Sequence, residues 1–102
     1  MVTRQILAHV INELETPFDT HDVEKRALRD HTEAFVTELL GYCGRTVDPL
    51  KSFSAAFGQR IDRQFQGQIR KTPRNKVRTP NLAGDMVSNQ QWERTNAGGP
   101  IT

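Results

Sequence analysis

The chain has 102 residues, 35% of them hydrophobic, and a formal net charge of +2. That length fits one domain with a modest core and excludes two. No run approaches the ~18 apolar residues of a membrane span, and Met1 to Leu14 mixes polar with apolar side chains where a secretory signal holds a continuous apolar block. The single cysteine, Cys43, has no internal partner for a disulfide, which fits a reducing compartment, so composition points to a cytoplasmic protein.

The small net charge hides an asymmetry. Up to Asp48 the chain holds five basic and nine acidic residues, a balance of −4; beyond it nine basic residues face only Asp62, Asp85 and Glu93, a balance of +6. Such a division suggests that one end of the protein meets a polyanion.

In chain order, Val2, Ile6, Val10 and Leu14 recur every fourth residue with Leu7 and Ile11 beside them, which predicts a helix over about 2–14, closed by Thr16-Pro17. Asp19 or Thr20 then caps a helix over about 20–29, Asp22 and Glu24 favour its positive end, and Phe18 is placed to fold over Val23 as a hydrophobic staple. Ala34, Phe35, Leu39 and Leu40 form a further apolar set over about 32–41. Asp30-His31-Thr32 before it leaves two forms open: two short helices, the second capped by Thr32, or one kinked helix. Asp48-Pro49 is the clearest start signal, an aspartate cap with proline at the first helical position. From it Leu50, Phe53, Phe57, Ile61 and Phe65 make one apolar stripe, which predicts a core helix over about 49–66 ended by Gly67 and weakened slightly at Gly58. Lys51, Ser52, Ala55, Gln59, Asp62 and Arg63 fall on its opposite face.

Beyond Gly67 the pattern changes. Gln68-Ile69-Arg70-Lys71 and Lys76-Val77-Arg78-Thr79 flank a turn-like Thr72-Pro73-Arg74-Asn75, and a third short segment surrounds Trp92 after an Asn81–Asp85 loop. These read as two or three short strands over about 68–94, although Ser88 to Gln91 also matches a capping box and so a short helix. Trp92 is expected to plug the small core, Cys43 to be partly buried, and residues 96–102 to form a frayed tail.

This layout resembles a winged helix-turn-helix domain, of the kind found in small proteins of phages and mobile elements. The opening helix followed by Pro17-Phe18-Asp19-Thr20-His21-Asp22-Val23 resembles that family's passage from first to second helix. Ala55-Ala56-Phe57-Gly58-Gln59-Arg60-Ile61 and Gly67-Gln68-Ile69 resemble the end of a recognition helix and the start of a wing. The extra helix-sized piece from Asp30 to Gly44 departs from the family pattern. The resemblance implies a mainly α (α+β), winged-helix-like domain of three to four helices with a small C-terminal β-hairpin, the helix from Asp48 serving for recognition.

On that expectation, Lys51, Ser52, Gln59 and Arg63 on the helix and Arg70, Lys71, Arg74, Lys76 and Arg78 on the wing contact DNA. Five phosphates neutralised by the wing give a salt slope of about −4.5. Asp62 is unfavourable on such a face unless an arginine pairs with it. His9, His21, His31 and Cys43 lack the short spacing of a metal site, and no phosphate-binding glycine loop or converging acid–base pair is present, so neither catalysis nor a cofactor is expected. Two other readings stay open: an adaptor or small inhibitor whose basic segment meets an acidic protein surface, and an RNA-binding module. The acidic first half offers a docking surface for a protein partner or a second copy.

Overall fold

Thr3 opens the first helix, its hydroxyl accepting from the Ile6 N–H at 3.2 Å. The computed structural model describes residues 1–95, 100 and 101, and α1 spans Arg4–Glu13. Val2, Leu7, Val10 and Ile11 are buried, as their spacing predicts. After α1, Phe18–Asp19 forms a two-residue strand, β1, that the sequence does not announce, and Phe18 is buried in the same core cluster as Val23. Phe18 lies opposite Trp92 across the sheet, with ring centroids 6.0 Å apart. Two residues give too little pattern to betray a strand; it exists because β3 offers an open edge there.

Asp19, not Thr20, caps α2 (Thr20–Asp30). Its carboxylate accepts from the Asp22 N–H at 2.8 Å, and the Asp22 carboxylate accepts from the Asp19 N–H at 2.9 Å, a reciprocal capping box. The chain breaks at His31 and resumes as α3 (Thr32–Leu40), which settles the two-helix alternative. Thr32 does not cap: its hydroxyl donates back to the Leu28 carbonyl at 2.6 Å, leaving α3 without a side-chain cap.

α4 spans Pro49–Gln64, with Asp48 accepting from the Lys51 N–H at 3.1 Å and Pro49 in the first turn. Phe53, Phe57, Ile61 and Phe65 are fully buried, while Leu50 is half-buried at the end of the stripe. Phe53 is the hub of an aromatic cluster, with Phe35, Phe57 and Tyr42 at centroid distances of 5.1, 5.2 and 5.5 Å. Gly58 has a packing reason: a side-chain carbon there would lie 3.2 Å from the Thr20 hydroxyl and 4.0 Å from the Trp92 ring. α4 therefore crosses α2 and the sheet at close range through the residue that weakens it as a helix.

Two long strands close the fold, β2 (Ile69–Pro80) and β3 (Met86–Arg94), in an antiparallel sheet of order β1-β3-β2. The expected turn at 72–75 is instead an irregularity inside β2, and the chain reverses at 81–85. The capping-box helix at Ser88–Gln91 is likewise replaced by strand. Weak β propensity is overruled because β3 is paired on both sides near Trp92, and pairing context outweighs intrinsic preference. Pro73 is tolerated because β2 is an edge strand and the residue sits in its bulge.

Trp92 fills the core as expected, fully buried, with its indole N–H donating to the Asp62 carboxylate at 3.1 Å. The result is an α+β domain of four helices and one three-stranded antiparallel sheet, and its 13.0 Å radius of gyration is that of a folded unit. Of the tail, 96–99 and 102 lie outside the described residues. Ile101 is buried, accepting from the Asn12 side-chain amide at 3.0 Å and donating to its oxygen at 2.7 Å. Among the described residues no helix is long and apolar enough to cross a membrane.

Candidate functional site

The β2 irregularity decides which cations face α4. Lys71 lies opposite Trp92 and Lys76 opposite Gln90, so β2 advances five residues while β3 moves back two. An odd step along an unbroken strand would turn the two lysines to opposite faces. The bulge absorbs the extra residues and returns both to one side. Two hydrogen bonds and one backbone turn hold it: Thr72 donates to the Gln91 side-chain oxygen at 2.8 Å, the Gln90 amide donates to the Asn75 carbonyl at 2.7 Å, and Asn75 adopts a φ of 65°.

A cleft of about 840 Å³ runs between α4 and the hairpin. Asp48, Lys51, Ala55, Gln59 and Asp62 line it from the helix side, Lys71, Lys76, Ser88 and Gln90 from the strands, and Ala83 and Asp85 from the hairpin tip. Four expected site residues, Lys51, Gln59, Lys71 and Lys76, thus share one concave surface.

The other five do not join them there. Ser52 is half-buried, its hydroxyl 3.1 Å from that of Thr46, where it tightens the turn before α4. Arg63 is exposed but outside the cleft lining. Arg70 points to the other face of the sheet, paired with Glu93 at 2.8 Å. Arg74 is exposed on the bulge, and the Arg78 guanidinium donates to the Met86 carbonyl at 3.2 Å.

Much of the apparent charge asymmetry is spent inside the protein. Arg60 forms a two-pronged pair with Glu38, at 3.2 and 2.8 Å, and lies over the Phe57 ring. Arg94 donates to the Ile11 and Leu14 carbonyls at 2.7 and 2.8 Å, closing the negative end of α1. Asp62, unfavourable on a DNA-facing surface unless an arginine pairs with it, accepts from the Trp92 N–H. Cys43 is exposed rather than partly buried.

His21 and Asn89 also line the cleft and belong to a polar network with no forewarning in the sequence. His21 is buried; its N–H donates to the Asn89 side-chain oxygen at 3.0 Å, and its Nδ1 lies 2.9 Å from the Thr79 hydroxyl. Asn89 in turn donates to the Val77 carbonyl and to the Thr79 hydroxyl, at 3.1 and 3.0 Å. This network fastens the start of α2 to the middle of the hairpin. Burial lowers the His21 pKa below its ordinary 6.5, against the pull of Asp19. Glu24 is 1% exposed and accepts from the Ser54 hydroxyl at 2.8 Å, while its second oxygen has no partner among the described residues. Burial raises its carboxyl from 4.5 to about 7, the Ser54 hydrogen bond opposing the shift. Ser54 also lines the cleft, so this carboxyl stands directly behind the cleft wall.

No protein-family model, curated protein or solved structure matches the chain.

Proposed function

We propose that the protein is a small, non-enzymatic DNA-binding domain of winged-helix type, a regulator or accessory factor that takes duplex DNA against α4 and the hairpin. The observation that carries this reading is the cleft, where Lys51 and Gln59 of the helix meet Lys71 and Lys76 of the strand. These four side chains supply the two things such a site needs: point charges for phosphates and an amide able to pair with a base edge. The element order, with a long amphipathic helix followed by a hairpin whose second strand pairs with a short early strand, is in keeping with a winged helix.

On this reading the expected salt dependence is shallower than the charge count alone suggests. Arg70 is engaged by Glu93 and Arg78 by a backbone carbonyl, which leaves Lys71, Arg74 and Lys76 of the five wing cations for phosphates, and Lys51 of the helix joins the two lysines in the cleft. Four phosphate contacts give a salt slope of about −3.6. Titrating a labelled mixed-sequence duplex at rising salt tests this: a steep linear dependence is expected, and binding absent at low salt, or a flat response, removes the DNA reading.

One observation favours a second reading. Asp48, Asp62 and Asp85 line the same cleft, so its charge is mixed, as suits a protein surface with both signs better than a uniform polyanion. On that reading the domain is an adaptor or inhibitor, and a duplex fails to bind at any salt concentration.

A further inference from the structure

Five of the nine residues of α3 are apolar, yet only Phe35 is fully buried. Leu40, at its end, has 62% of its surface exposed. In the turn that follows, Val47 is fully exposed. Val47 is also held in place. The Thr46 hydroxyl before it lies 3.1 Å from that of Ser52 and accepts from the Asp48 N–H at 3.0 Å, and Asp48 caps α4. The turn presents Val47 as a fixed knob, so little freedom is lost when something covers it.

A recess lies next to the knob. Leu39, the neighbour of Leu40, and Asp48, the neighbour of Val47, both line a second cleft of about 470 Å³. Its walls are apolar, with Leu28, Leu50 and Leu82 among them. One exposed apolar residue is ordinary on a protein surface, but exposed residues grouped around an apolar recess mark a contact surface. Two charges flank the knob. Arg45 is exposed and donates to the Gly41 carbonyl at 3.3 Å, and Asp48 is exposed at the cleft. Among the described residues neither meets an opposite charge within salt-bridge distance.

We propose that this face binds a second copy of the chain about a twofold axis beside the 45–48 turn, each Val47 seated in the other copy's apolar cleft. A twofold contact needs a surface that complements itself: a projection and a recess side by side, and charges of both signs. This surface has both. With Val47 across the axis, Arg45 comes against Asp48 of the second copy, and the symmetric pair forms at the same time. The same charges disfavour other occupants. Asp48 repels a polyanion, and a purely apolar partner would cover Arg45 and Asp48 unpaired. The face comprises one short helix, about 14 Å long, and the turn after it, which is small for an interface. The dimer is therefore weak and reversible, with a dissociation constant on the order of 10–100 µM. The inference does not depend on the DNA reading.

Sedimentation velocity of the full chain from about 10 µM to about 1 mM should show monomer passing into dimer. Val47→Asp should raise the dissociation constant about hundredfold, from a tenfold loss at each of two equivalent contacts. Arg45→Glu should raise it about tenfold. Both side chains are exposed, so the melting curves of the variants should match that of the wild type. A second measurement needs no variant: the backbone amide signals that move on dilution should lie within 36–50 and at 82–83. Three results overturn the proposal: a monomer at every concentration, a dimer that Val47→Asp leaves intact, or dilution shifts centred on the 70–78 strand.

Discussion

Glu24→Gln offers the sharpest test of the interior. In the folded protein the Glu24 carboxyl is held at about 7 rather than 4.5, because it is buried with one oxygen unpartnered. A raised carboxyl means that the folded state keeps a proton which the unfolded chain releases. Below pH 4.5 both states are protonated, and Glu24 brings no penalty. Between 4.5 and about 7 the unfolded chain ionises first, and stability falls by about 1.4 kcal/mol per pH unit. Above that window the loss levels off at about 3 kcal/mol, a large share of the ~5–15 kcal/mol that holds a domain together. Glutamine cannot ionise, so the variant escapes this loss. Its amide still accepts from Ser54, but its NH2 group occupies the unpartnered position, at a cost of about 1–3 kcal/mol that does not change with pH. Urea denaturation of both proteins from pH 4 to pH 8.5 measures the difference. His21 and Asp22, which also titrate, act in both proteins and cancel. The variant should gain on the wild type steadily from pH 4.5 to 7 and hold its gain beyond. A difference that stays constant across that range refutes the burial of an ionisable Glu24.

The remaining predictions concern other parts of the framework. Glu38→Ala strands the half-buried Arg60 guanidinium and should cost about 3–5 kcal/mol by denaturant titration, more than Glu38→Ala in an Arg60→Ala background. Trp92→Phe removes the N–H held by Asp62 and should cost about 1–3 kcal/mol, visible as a lower melting temperature with the fold retained by circular dichroism. Lys71→Gln with Lys76→Gln should leave stability within ~0.5 kcal/mol and reduce the salt slope of duplex binding by about 1.8. The His21 ring should titrate below 6.5 by NMR, so that protonation there destabilises the fold as pH falls below that value and has no effect above it.

The helices were legible where signals were local. Asp48-Pro49 marks the start of α4 to the residue, and the four-residue spacing of Phe53, Phe57 and Ile61 names its buried face. Trp92 could be placed in the core because few other large residues lie near it in the chain. Charge was harder to read, because a sequence records the charge of a side chain but not its distant partner. Arg60 and Glu38 are 22 residues apart, and Arg94 and Ile11 are 83 apart. Counting these arginines as surface charge inflated the basic half, just as counting Glu24 and Glu38 as surface carboxylates inflated the acidic one. The hairpin was misjudged for a related reason. Pro73 and Asn75 carry turn chemistry, but a bulge uses the same chemistry without reversing the chain, and cross-strand bonds from Gln90 and Gln91 determine which occurs.

The pairing of Phe18 with Trp92 and the clasp of Arg94 on the end of α1 join the first and last parts of the chain. That closure has a bearing on synthesis. While the protein is being made, all four helices leave the ribosome before Trp92, the residue that pairs with β1 and seats its indole against α4. Until Trp92 emerges, β1 has no strand to pair with and Asp62 has no indole to hold. A nascent chain that stalls short of that residue lacks the pairing that ties β1 to the sheet.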